Sequence, residues 1–412
     1  MAHNSGQSVS LGEYADAVAD VLSRLQRDDI VNRIWAQDHT VWRLDPTDLA
    51  DRLGWLTVFD EMRQHIPDLE KFASEIKNSL FLNVVLLGMG GSSLGAEAIR
   101  QTFGSTSGYP QLTILDSTVP SAIRAVTKSI DPARTLFIVS SKSGETIESN
   151  SLYRYFRNEV DGTVGKGEAG SHFIAITDPG TSLVELAELE GFRCIFENPP
   201  GIGGRYSVLS YFGLIPAALI GVNLEHLLDD AAAMASRCTG SHAIQDNLGA
   251  WLGAYLSATA AARRDKLTFV TSPSVQGFGL WVEQLIAEST GKGGKGIVPI
   301  VGEPLLDARY YGDDRAFVYL RVEGDNNAQA DVATERFVAA GHPLVRLDLS
   351  DSTNIGAEFF RWEFATAIAG AMLDIQPFDQ PNVQRSKDAT NQIIDAFIRH
   401  GELPEEPATE SL

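Results

Sequence analysis

Between Leu82 and Asn198, five short apolar runs, "LNVVLLG", "LTILD", "TLFIVSS", "HFIAITD" and "RCIFEN", alternate with amphipathic stretches, and each run closes on a polar or glycine-rich turn. Runs that are apolar at nearly every position are strands buried on both faces, and the stretches between them are the crossovers that parallel strands need. The rhythm predicts an α/β fold with a doubly wound parallel sheet. A second series, "LTFVTS", "GIVPIVG", "AFVYLRV" and "PLVRLDL", predicts another such sheet further on. The apolar segment Tyr211 to Val222 and an Ala-rich helical stretch lie between the two, which places the join near residues 222–245. Tyr14, Val18, Val21, Leu22 and Leu25 recur at helical spacing. The expected organisation is therefore a helical segment over 1–75, α/β domains over 76–225 and 226–400, and an acidic, Pro-containing tail over 401–412.

A formal net charge of −21 over 412 residues sets the whole-molecule field against nucleic acid and anionic membrane, so an anionic ligand needs a local nest of donors. The longest strongly apolar run, "YFGLIPAALIGV", is too short to span a bilayer and contains Pro216. The first residues lack the basic start and apolar stretch of a secretory signal. Cys194 and Cys238 are the only cysteines and have no ligand-like neighbours, which argues against a disulfide framework or a metal site. A soluble chain in a reducing cytoplasm is expected.

In parallel sheets, ligands sit beyond the carboxyl ends of the strands. The first strand runs into "GMGGSSLG", where Gly88, Gly90 and Gly91 permit close backbone approach and a helix begins near Ser93. A dinucleotide fingerprint wants a third glycine at that position, although Asp116 at the end of the next strand imitates its ribose-binding acid. The strand "TLFIVSS" opens a second such loop, "SKSGET", with hydroxyls on Ser141, Ser143 and Thr146 and a positive charge on Lys142. Each serine or threonine taken singly reads as a helix N-cap. Two converging hydroxyl-rich loops, with Gly91, Ser92 and Ser93 in the first, favour a phosphomonoester.

Both loops, taken with three later stretches, resemble the glucose-6-phosphate isomerase family over about Val84 to Lys387. "GIGGRYSVLSYFGL" is similar to its GGRYS segment, "VEQLIAESTGK" to its Gln-x-x-x-Glu-Ser-x-Gly-Lys segment, and "QPFDQPNVQRSK" to its PFDQ-to-Lys segment, all in family order. "RIWAQDHTVW" and "RLGWL" bring the chain nearest to the isomerase halves fused to transaldolase in some bacteria. The resemblance implies two sugar-isomerase domains, a homodimer, no metal or redox cofactor, and a sugar phosphate as the small-molecule partner.

Aldose-ketose isomerisation moves a proton between C1 and C2 through an enediol or enediolate, which needs a base and a stabiliser of oxygen charge. On residues alone, Glu283 and Glu288 are equal candidates for the base, Arg205 reads as a structural ion pair, and Lys387 as solvated surface. The resemblance selects Glu288 as base, Arg205 beside Gly204 for the enediolate charge, and Lys387 near the sugar ring. It adds Gln284 and Gln380 as substrate contacts.

Two departures stand out. The family's ring-opening histidine has no counterpart, since Asp314-Arg315 falls at its Gln-His position and His342 lies in a different motif. Ring opening then falls to Lys387, Asp313 or Asp314. "SKSGET" is also shorter than the family's "SKTFTTQET". The expected activity is reversible conversion of glucose 6-phosphate and fructose 6-phosphate. A dual phosphoglucose and phosphomannose isomerase and a non-catalytic sugar-phosphate regulator are the alternatives, ahead of an NAD-dependent oxidoreductase.

Overall fold

A computed structural model describes the backbone of residues 3–4 and 6–403 and, from residue 6 onward, their side chains except those of 382–385 and 387. The chain divides into two compact units, residues 1–377 and 378–412.

All nine expected strands form within the first unit. After two short N-terminal strands, β1 (His3–Asn4) and β2 (Gln7–Ser10), come β3 (Asn83–Leu87), β4 (Gln111–Leu115), β5 (Thr135–Ser140), β6 (Phe173–Thr177) and β7 (Cys194–Glu197). These last five make one parallel sheet in the order β4-β3-β5-β6-β7. β5 and β6 are buried along their whole length, as strands covered on both faces must be. The order reverses direction between β3 and β5, and ligands of such sheets bind outside the carboxyl ends at that reversal. The two strands that feed the hydroxyl-rich loops are therefore the two that flank the switch point.

The second sheet contains β8 (Lys266–Thr271), β9 (Val298–Ile300), β10 (Arg315–Val322) and β11 (Leu344–Leu349). Its order is β1-β2-β11-β10-β8-β9, and the four later strands are mutually parallel. They repeat the order of the first four strands of the other sheet. The place of a fifth parallel strand is taken by β2, which runs antiparallel to β11 with Ser10 opposite Leu344 and Gln7 opposite Leu347. The segment 1–75, expected to be helical, thus begins with strands before its helices Ala15–Arg27, Ile30–Trp35, Val58–Arg63 and Ile66–Lys77. "QSVS" carries too little apolar periodicity to announce a strand; the unpaired backbone edge of β11 makes it one.

Two nearly all-buried helices, Leu248–Ala261 and Ile355–Leu373, cross closely because Gly249 and Gly253 leave room. A Cβ on Gly253 would stand 2.5 Å from Cγ2 of Ile368. Glu363, on the second of these helices, is completely buried, and neither carboxyl oxygen meets a donor among the described residues. Burial drives its carboxyl well above the ordinary value, so the folded protein holds a proton that the unfolded chain releases once the pH passes about 4.5. Stability should then fall as pH rises through that window, by up to about 1.4 kcal/mol per unit, until the folded carboxyl ionises. Glu363→Gln removes this slope while nearly preserving shape. Thermal unfolding at a series of pH values from 5 to 8 is expected to show the wild type losing more stability than the variant. Parallel curves would contradict a neutral Glu363.

The second unit is built around the helix Pro381–His400, with Gln380 at its N-cap and Pro381 in its first turn. Lys387 falls within this helix, and its side chain lies outside the described residues, as do residues 404–412 of the acidic tail.

Candidate active site

The β3 loop closes on itself through a short turn, Gly90–Ser92, in which Gly90 adopts a φ of +55° that favours glycine. Gly91 is required for a different reason: a Cβ there would stand 2.2 Å from the carbonyl of Gly204. The loop therefore lies directly against the turn Gly204–Tyr206. Ser93 precedes the helix Leu94–Phe103, yet its buried hydroxyl donates to the Gly90 carbonyl at 3.2 Å and caps nothing. Ser92 is partly exposed, and its carbonyl accepts a 2.8 Å hydrogen bond from the Ser140 hydroxyl at the end of β5. That bond ties the two hydroxyl-rich loops together.

In the β5 loop, the buried Ser141 hydroxyl pairs with that of Thr146 at 2.9 Å. Thr146 stands at the N-cap of Ile147–Val164 but makes no capping bond. In both loops, then, the residue at the cap position keeps its hydroxyl off the helix, which removes the simplest structural explanation for it. Ser143 is exposed and accepts from the amide of Glu145. The Lys142 ammonium is ion-paired with Asp178 at the end of β6, whose carboxyl burial shifts upward. The cation expected to meet a phosphoryl group already has an anionic partner.

Arg205 is only 3% exposed, and all three of its nitrogens are engaged. Nε donates to the Ser289 hydroxyl at 2.8 Å and Nη2 to the Pro377 carbonyl at 2.5 Å, while Nη1 lies 3.1 Å from Oε1 of Glu288. The helix Phe278–Thr290 buries Phe278, Trp281, Val282, Leu285 and Ile286, so Gln284 and Glu288, one turn apart, share its partly exposed face. The Gln284 amide donates to Oε2 of Glu288 at 3.2 Å. Its Nε2 would also stand 2.7 Å from a Cβ on Gly90, so Gln284 bridges the glutamate and the β3 loop. Each oxygen of Glu288 thus accepts from one neighbour. The structure brings together Gly91, Ser92, Gly204, Arg205, Gln284 and Glu288, three chain segments that the sequence separates widely.

The model of the family described as phosphoglucose isomerase matches residues 55–297, more than half of the chain. The chain belongs to the phosphoglucose isomerase family. Glucose-6-phosphate isomerase of Campylobacter jejuni is 29% identical, with 83% of this chain and 90% of that protein covered. The enzyme of Staphylococcus saprophyticus is 28% identical over 82% of this chain and 86% of its own. Among solved structures, a hypothetical protein of Thermus thermophilus superposes with a TM-score of 0.81 at 23% identity, covering 94% of this chain and 99% of that one. A glucose-6-phosphate isomerase of Chlamydia trachomatis does so with 0.79 at 16% identity, over 98% and 90%. These structural likenesses establish the shared fold.

Three of the residues weighed for ring opening in this phosphoglucose isomerase family member, His342, Asp313 and Asp314, lie elsewhere. His342 is buried against Phe317 and Tyr311, with Nδ1 3.2 Å from an Arg264 nitrogen; burial and that guanidinium hold its pKa down. Asp314 pairs with Lys266 at 3.1 Å, and the hydrogen bond from that lysine keeps it a carboxylate, a poor proton donor. Asp313 is fully exposed, 3.8 Å from Arg264. No hydrogen bond or ion pair joins these three to the Arg205–Glu288 group among the described residues. Glu283, the rival base, is exposed. Ser289 and Tyr206 were missed although each adjoins a selected residue, in "ES" and "RY"; their apolar surroundings read as plain core. Among the described residues no group of three acidic, His or Cys side chains is placed to hold a metal ion, and no helix is long and apolar enough to cross a membrane.

Proposed function

We propose that this chain interconverts D-glucose 6-phosphate and D-fructose 6-phosphate, with Glu288 carrying the proton between C2 and C1. The observation that carries the proposal is the carboxylate itself, held at 3.1 Å by Arg205 and at 3.2 Å by Gln284 beside the β3 loop. Before proton abstraction the guanidinium faces a carboxylate. Afterwards Glu288 is neutral and the negative charge sits on the enediolate oxygens, so Arg205 meets one anion throughout and stabilises it where it develops. Ser92, Ser93, Ser141, Ser143 and Thr146 offer short hydroxyl donors for the phosphoryl group at the switch point of the sheet, joined by Lys142 if a phosphoryl oxygen replaces Asp178 as its partner. Lys387 and Gln380 serve the ring end of the sugar in this reading, and the working enzyme is a cytoplasmic homodimer.

The test is fructose 6-phosphate incubated with the protein in heavy water and followed by NMR. Glucose 6-phosphate labelled with deuterium at C2 is the expected product. Mannose 6-phosphate in comparable amount would instead favour dual specificity, and binding without any product would reject catalysis.

A further inference from the structure

Arg205 and Tyr206 are adjacent in one turn, and both side chains converge on a single hydroxyl. Arg205 donates to Ser289 Oγ at 2.8 Å, and the Tyr206 hydroxyl lies 3.4 Å from the same atom. Ser289 and Tyr206 have no exposed surface. Burial raises the phenol far above its ordinary range, so Tyr206 is neutral and serves as donor or acceptor to the serine. Tyr206 is itself packed under Trp55, with ring centroids 5.2 Å apart, so its hydroxyl has little freedom to move.

A guanidinium is planar, with its three nitrogens fixed relative to one another. Anchoring Nε on Ser289 and Nη2 on the Pro377 carbonyl at 2.5 Å leaves the plane no free rotation and presents Nη1 to Glu288 at 3.1 Å. Ser289 is also the residue that follows Glu288 at the end of one helix. The same segment that carries the glutamate therefore aims the arginine at it, and any shift of the helix end moves the two together.

We propose that Ser289, steadied by Tyr206, is a positioning residue of the isomerisation, acting through Arg205 to hold the guanidinium where enediolate charge develops. The inference rests on the assignment of Glu288 and Arg205 above. Its distinguishing property is dependence on Arg205: a hydroxyl that only fills the core would contribute whatever stands at position 205.

A double-mutant cycle reads this directly. Ser289→Ala is expected to lower kcat about tenfold with KM changed less than about twofold, because misaligned charge stabilisation weakens the transition state more than the bound sugar phosphate. In an Arg205→Lys background, the same substitution should change kcat by less than about twofold, since the Nε anchor is already gone. Should Arg205→Lys fail to fold, Tyr206→Phe takes its place: it should lower kcat mildly, and Ser289→Ala with Tyr206→Phe should be no worse than Ser289→Ala alone. Independent, multiplicative losses in the cycle, or a Ser289→Ala enzyme with wild-type kcat, would overturn the proposal. The parent reading fails separately, if Glu288→Gln remains fully active. An inert Glu288→Gln beside an unimpaired Ser289→Ala sinks only the positioning role.

Discussion

Glu288→Gln is expected to lower kcat by about three orders of magnitude, with KM for fructose 6-phosphate moved less than about threefold. The substitution removes the only function that needs a carboxylate, the uptake of a carbon-bound proton, and leaves the shape of the side chain. It is also tolerable locally. The carbonyl of the substituted side chain can still accept from Arg205 Nη1 at the site of the present 3.1 Å contact. Its new amide meets the Gln284 amide donor, but Gln284 Oε1 is a buried acceptor with no partner among the described residues. Turning the Gln284 amide over lets Oε1 accept from the new amide and removes the donor–donor clash, while the Gln284 amide nitrogen takes the place that Oε1 now occupies. Circular dichroism and unfolding curves should therefore stay close to wild type, shifted by the loss of one anionic partner for a buried cation. A folded variant retaining more than a tenth of wild-type kcat would remove Glu288 from the role of base. Glu283 is no substitute in that event, because it lies on the exposed side of the helix.

How much of this site was legible from residue order depends on how far apart the interacting parts lie. Nine strands were readable because strands covered on both faces must be apolar throughout, and the loops after β3 and β5 were readable because a switch point concentrates glycine and hydroxyl residues just beyond strand ends. Glu288 was not separable from Glu283 by local chemistry. What separates them is helix rotation: Gln284 and Glu288 share one face, and packing of Trp281 and Leu285 turns that face toward the β3 loop. The Lys142–Asp178 pair was illegible, since it joins the ends of two neighbouring strands and neither segment hints at the other. The strand β2 was illegible for a related reason: its four residues are strand only because β11 offers them a ladder. Charge in the core was illegible too. Nothing in residue order marks Glu363, and only three-dimensional burial shows the environment that raises its carboxyl well above the ordinary value.

The contact between Gly91 and Gly204 yields the second large effect. Gly91→Ala is expected to destabilise the protein by roughly 3 kcal/mol and to lower kcat about a hundredfold in whatever fraction remains folded. The added methyl would stand 2.2 Å from both the carbonyl carbon and oxygen of Gly204 and 2.8 Å from the Arg205 amide nitrogen. These are backbone atoms, so no side-chain rotation relieves the overlap, and the two loops must part. Arg205 is the next residue in the displaced turn. Its guanidinium is held at 2.8 Å by Ser289 and at 2.5 Å by Pro377, anchors that belong to other segments and do not move with the turn. Parting the loops therefore forces a choice between breaking those anchors and straining the turn, and either outcome misaligns the group facing Glu288. Gly162→Ala is the matched control, in the helix Ile147–Val164, where an added Cβ meets nothing within 4 Å. That substitution should stabilise the chain by about 0.5 to 1 kcal/mol and leave kcat alone. Urea unfolding with kcat normalised to folded protein tests the pair. If Gly91→Ala unfolds like wild type at full activity, the β3 loop and the Gly204–Tyr206 turn do not meet as described, and the alignment of Arg205 must come from somewhere other than their contact.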